Sequence, residues 1–123
     1  MSVRQSTELL VIDAVRGAIG KLLPKSQVTL ALTAEAMGVS ARTLQRRLAE
    51  QGVSYSHLVD EVRFIKAREL ILKKEKLTEV ATQLGYADAG SFTRAFERWT
   101  GMSPMQYRKR FYRSTQKNIY SKK

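Results

Sequence analysis

Four side chains in one short stretch, ARTLQRRLAEQ, carry the strongest chemistry of the chain: Arg42, Gln45, Arg46 and Arg47. On a helix, residues three and four apart share a face. Arg42, Gln45 and Arg46 would therefore stand together, with Arg47 further round. An arginine offers two parallel N–H donors, and a glutamine amide offers a donor beside an acceptor. These fit the paired acceptors of guanine O6 and N7, and the N6 and N7 edge of adenine, in the major groove of duplex DNA. Each good bidentate pair discriminates by roughly 1–3 kcal/mol. For a lone helix a solvated polar face is the better reading, so the surroundings of this stretch decide.

Those surroundings have the layout of a helix-turn-helix. Thr29 is placed to cap a short helix, LALTAEAM, that stops at Gly38, and Ser40 to cap the charged helix, which stops at Gly52. Ala34 lets the two helices approach, Gly38 permits positive φ at the turn, and Val39, Leu44 and Leu48 supply the inner face. Within this frame the groove-reading role is favoured over a solvated face.

The same plan returns further on. Ala81, Gly85 and Tyr86 repeat Ala34, Gly38 and Val39, and Phe92 and Phe96 repeat Leu44 and Leu48. The offset is 47 residues at Gly38/Gly85, 48 at Leu44/Phe92 and at Arg46/Arg94, and 49 at Gly52/Gly101. This is an internal repeat. In the second copy the reading positions hold Ala89, Gly90, Thr93 and Arg94, of which only Arg94 can make a strong base contact. The second copy is therefore expected to contribute less sequence specificity. Phe92, Phe96 and Trp99 could stack on bases, but core packing is the stronger reading.

Between the copies lies SYSHLVDEVRFIKARELILKK, from Ser54 to Lys74, which reads as one helix capped by Ser54. Leu58, Val62, Ile65 and Leu72 make an apolar stripe, and Phe64, Ala67, Leu70 and Ile71 lie on other sides, so the helix needs cover from more than one direction. A helix of about 18 residues is roughly 27 Å long, against a groove repeat of about 34 Å, which implies a bent duplex or insertion of one copy only. Ahead of the first copy, Thr7 to Leu23 reads as a packing helix ended by Pro24, with Leu9, Ile12, Ile19 and Leu23 near one face. Ser103, Pro104 and Gln106 open the last helix as a capping box, with Tyr107 and Phe111 inward. The expected organisation is all-α: a first helix-turn-helix subdomain over 7–53, a linker helix over 54–74, a second subdomain over 75–112 and a loose basic tail over 113–123.

The chain has 123 residues and a formal charge of +11. Residues 105–123 carry seven basic side chains and no acidic one, so most of the excess sits at the C-terminal end. Such charge argues for a polyanionic partner, nucleic acid before an acidic membrane. With no cysteine there is neither a disulfide nor a thiolate metal site. The single histidine, His57, has no partner for catalysis or metal binding in the sequence, and no glycine-rich phosphate loop or nucleophile–base pair occurs. Asp60, Glu61 and Glu69 read as surface charges near Arg63, Lys66 and Lys73. The expectation is a protein without enzymatic activity or cofactor, and without a membrane span. The N-terminus is a poor secretory signal, so the expected compartment is the cytoplasm, on the nucleoid when bound.

GVSARTLQRRLAEQGVSYSHLVDEVR together with LTEVATQLGYADAGSFTRAFERWTGMSPMQYR resembles the DNA-binding module of the AraC/XylS family of bacterial transcriptional regulators. The resemblance runs from about Leu9 to Phe111. It implies seven helices, two helix-turn-helix units on a linker helix, asymmetric promoter sites spanning adjacent major grooves, and activation through RNA polymerase. By matching positions it assigns base reading to Arg42, Gln45 and Arg46 in the first unit and to Gly90, Thr93 and Arg94 in the second. Ser40, Arg47, Arg98 and Arg108 are expected at or near the DNA backbone. Thr33 departs from the pattern at a usually apolar position, and Ala89 and Gly90 stand where larger polar side chains are common. Most members carry an effector-sensing or dimerisation domain ahead of the module. LLPKSQVTLALTAEAMG resembles the join in such proteins, so a C-terminal piece of a longer regulator is expected, with any effector acting through the sensing domain. The rival from another class is a basic RNA- or anionic-surface-binding adaptor working through the tail.

Overall fold

Short-range side-chain chemistry sets most of the helix ends. In the computed structural model, which describes the backbone of residues 2–25 and 28–121 and the side chains of residues 11–24 and 28–112, seven α-helices occur and no strand. They are α1 (Ser2–Leu22), α2 (Leu30–Met37), α3 (Ala41–Glu50), α4 (Tyr55–Leu72), α5 (Leu77–Gln83), α6 (Ala89–Thr100) and α7 (Pro104–Ser121), with a 3₁₀ turn at Leu23–Lys25 after α1. The expected all-α class holds. Thr29 Oγ1 accepts from the Leu32 N–H at 3.1 Å, Ser40 Oγ from Thr43 at 3.1 Å, and Ser54 Oγ from His57 at 3.3 Å. At α7 the capping box is reciprocal: Ser103 Oγ accepts from the Gln106 N–H at 3.1 Å, and Gln106 Oε1 from the Ser103 N–H at 2.9 Å.

The chain divides into two compact units, residues 1–63 and 64–123, with the division inside α4. In the first unit Ile12, Val15, Ala18, Ile19 and Leu23 pack with Ala34, Leu44, Leu48, Leu58 and Val59, all buried. Fully burying a leucine or isoleucine contributes about 1.5–3 kcal/mol, so these contacts dominate the unit's stability. Leu9 and Thr7 carry side chains outside the described residues. Thr33 is buried in this core. Its hydroxyl lies 2.8 Å from the Thr29 carbonyl and 2.6 Å from Tyr55 Oη. Both partners come from nearby helix starts, which is how a polar residue is tolerated where an apolar one is usual. Burial pushes the Tyr55 hydroxyl above its ordinary pKa, against the opposing pull of the Thr33 bond and the Arg63 charge.

The second unit is built on rings. Phe92 and Phe96 are fully buried, and Phe96 meets Tyr107 edge-on with centroids 5.2 Å apart. Phe64 and Trp99 flank Phe96 at 6.2 and 6.3 Å, and Phe111 lies 4.5 Å from Tyr107. The phenylalanines are therefore core, and base stacking by Phe92 or Phe96 is ruled out by their burial. Trp99 is half-buried, with its indole N–H enclosed and not hydrogen-bonded among the described residues.

Both units turn in the same way. Gly38 and Gly85 adopt left-handed backbone, φ 75 and 83. Val39 N–H donates to the Ala34 carbonyl at 3.0 Å and Tyr86 N–H to Ala81 at 2.9 Å. These are paired Schellman closures, and the repeat read from the sequence is a structural repeat.

Three expectations need correction. The stripe Leu58, Val62, Ile65 and Leu72 is not the buried face of α4: Leu58, Val59, Ala67, Leu70 and Ile71 are buried, whereas Ile65 is 40% exposed. One helix serves two cores, so no single stripe describes it. Glu61 pairs with Arg16 of α1, Nε to Oε1 at 2.7 Å, a partner on another helix that spacing along α4 does not show. The backbone beyond Arg113 continues as helix to Ser121 instead of loosening, since no glycine or proline interrupts it. The side chains of the basic tail, 113–123, lie outside the described residues.

Candidate nucleic-acid interface

On α3 the division between inside and outside is sharp. Leu44 and Leu48 are 0% and 3% exposed, while Arg42, Gln45, Arg46 and Arg47 all stand in solvent. No described residue hydrogen-bonds or ion-pairs with the side chains of Arg42, Arg46 or Arg47. The buried leucines fix the rotation of the helix, and that rotation brings Arg42, Gln45 and Arg46 onto one exposed face. The helix is thus fixed, and the donors of these arginines are left uncommitted. Ser40, expected near the DNA backbone, spends its hydroxyl on the helix: beyond the Thr43 N–H, it donates to Thr43 Oγ1 at 2.9 Å.

The reading face of α6 is thinner. Gly90 and Arg94 are exposed together, and Thr93 is half-buried, so it reaches out less than its sequence position suggests. Asp88 caps the helix, its Oδ1 accepting from the Ser91 N–H at 2.7 Å. That backbone donor, then the Ser91 hydroxyl and the charge of Arg94, hold the Asp88 carboxyl below the ordinary carboxylate range. Arg94 Nη2 donates in turn to Ser91 Oγ at 3.3 Å. A methyl at Gly90 would lie 3.5 Å from Arg94 Nη1 and 3.4 Å from Asp88 Oδ1, so the guanidinium lies back over the glycine. The Asp88–Ser91–Arg94 arrangement was missed in the sequence; the spacing of three residues at each step was its signal.

Arg98 is exposed at the last turn of α6. Arg108 has partners within its own unit. Its Nε donates to the Ile71 carbonyl at 2.7 Å and its Nη2 to Glu75 at 2.6 Å. It closes the C-terminal end of α4, where carbonyls lack helical partners. His57 is exposed, 3.9 Å from Glu61, and no group of three metal-ligating side chains occurs among the described residues.

A helix-turn-helix domain family model matches residues 33–110, from α2 into α7. The chain belongs to the AraC-type helix-turn-helix family. Its fold is similar to the solved C-terminal domain of AraT, a response regulator from Geobacillus stearothermophilus, with TM-score 0.68 and 36% identity over 80% of this chain and 84% of that one. In sequence it is 35% identical to the transcriptional regulator VqsM of Pseudomonas aeruginosa over 73% of this chain. It is 37% identical to VirS of Mycobacterium tuberculosis over 78%. The match spans 28% of the length of each of these two relatives. In AraC-type terms, the two structural repeats described above are the family's two helix-turn-helix units.

Proposed function

We propose that the chain is the DNA-binding module of a sequence-specific transcriptional regulator, with α3 and α6 as its groove-reading helices. The observation that carries this is the α3 surface: two arginines and a glutamine exposed on one face of a helix whose opposite face is locked by Leu44 and Leu48. A helix of this kind fits the major groove, and its bidentate donors distinguish base pairs there. Base reading falls to Arg42, Gln45 and Arg46 in the first unit. In the second it falls to Arg94, with Gly90 allowing close approach and Thr93 contacting from the side. Arg47 and Arg98 neutralise phosphates, and Ser40 presents the start of α3 to the backbone. The partner is double-stranded promoter DNA. Contact with RNA polymerase, and response to an effector through a sensing domain, are proposed for the full regulator on family grounds.

The test begins with duplexes selected from a random pool by the protein. Arg46→Ala and Arg94→Ala are each expected to weaken binding of the selected site by roughly 5- to 150-fold, the equivalent of one lost bidentate pair. Because both side chains are exposed, both variants should remain folded. Parental affinity in both folded variants would overturn the proposal.

A further inference from the structure

The repeat relates one more pair of positions than the reading faces above use. Ala49 follows Arg46 on α3 by three residues, and Glu97 follows Arg94 on α6 by the same step, at the same offset of 48. At about 100° per residue, Glu97 returns to within about 20° of Gly90 around the helix and about 60° of Arg94. Glu97 is exposed. No described residue hydrogen-bonds to its carboxylate or pairs with it. Arg94 does not hold it either, since that guanidinium turns toward the start of the helix, onto Ser91 and over Gly90. The reading face of α6 therefore presents a cation and, one turn on, a carboxylate with no partner of its own.

A free carboxylate between phosphate walls is unfavourable unless it receives a proton donor. The major groove offers base donors only at cytosine N4 and adenine N6, and adenine sets the acceptor N7 beside its donor. Guanine and thymine turn acceptors toward the carboxylate. We propose that Glu97 is a specificity-determining residue of the second unit, selecting cytosine by accepting from its N4 amine at a base pair next to the one Arg94 contacts. This rests on the reading of α6 as a groove helix. The first unit cannot do the same, because Ala49 has only a methyl group, suited to the methyl of thymine. The two units thus discriminate by different chemistry, and the weak donor set at Gly90 and Thr93 is supplemented by exclusion.

The experiment measures Kd for every single base-pair substitution of a selected duplex with the parent protein, Glu97→Ala, Glu97→Gln and Arg94→Ala. In the parent, replacing one C·G pair in the half bound by α6 should cost about tenfold or more. Glu97→Ala should flatten the preference at that pair and leave the rest of the profile intact. Glu97→Gln should shift it toward adenine, whose donor and acceptor an amide can satisfy together. A parental profile in Glu97→Ala overturns the assignment, as does a uniform gain in affinity for all sequences, which marks a carboxylate that only repels phosphate. Arg94→Ala separates the two ideas. If it weakens binding while Glu97→Ala changes nothing, only the Glu97 assignment falls; if it leaves affinity and profile untouched, α6 does not read the groove and both fall.

Discussion

Asp88 shows how much one exposed residue does at the start of α6. Its carboxylate caps the Ser91 N–H and sits in the field of Arg94. Since the folded pKa is depressed, its contribution is fully present above the unfolded pKa and is lost as pH falls through the lower folded value. The window lies below the ordinary aspartate range. Asp88→Asn keeps an N-cap side chain but removes the charge. Thermal unfolding of parent and variant, followed by circular dichroism, should show the parent more stable near neutral pH. The difference should shrink on acidification through that window; a constant difference would assign the effect to shape instead of charge.

Element by element, the glycines separate into two kinds. Gly17 and Gly20 lie inside α1, exposed, with nothing within 4 Å of an added methyl. Gly17→Ala and Gly20→Ala should each stabilise the fold by about 0.5–1 kcal/mol, seen as a rise in Tm. Gly38 occupies left-handed backbone at φ 75, so Gly38→Ala should destabilise by about 1–2 kcal/mol although space is open around it. The end of α4 is a third case. Lys74 itself takes φ 64 there, and Arg108 covers the last carbonyls from α7. Arg108→Met should cost about 1.5–3 kcal/mol of stability, the range for hydrogen bonds to a charged group. It should leave the salt dependence of DNA binding unchanged, because this arginine is already occupied; a reduced slope would return it to the DNA contacts.

At the scale of the whole molecule the charge of +11 is the governing quantity. Each phosphate neutralised releases counterions, so log K falls with log salt by about 0.9 per contact. Arg47→Ala and Arg98→Ala are each expected to lower that slope by about 1 without altering base preference. Removing residues 113–123 should weaken affinity for a selected site modestly and retain its sequence preference. If binding vanished with the tail, the molecule would be an adaptor for polyanions rather than a reader of sequence. Sensitivity to salt and sensitivity to base substitution therefore report on different residues of one chain.

Features whose partners lie a few residues away could be read from the linear chain. The caps at Thr29, Ser40, Ser54 and Ser103, the glycine turns, the inner leucines and phenylalanines, and the repeat with its face of Arg42, Gln45 and Arg46 are all set by helical spacing and local hydrogen bonding, which a linear text records. Contacts between distant residues came only with packing. Arg108 found the Ile71 carbonyl 37 residues away, Arg16 found Glu61 at 45, and Thr33 found Tyr55 at 22. Ile65 was left outside while Ala67 was enclosed, although both are apolar residues of one helix. Periodicity says which residues share a side; it does not say which side another element covers, and a long arginine commits to whichever carbonyl or carboxylate the packed chain brings within reach.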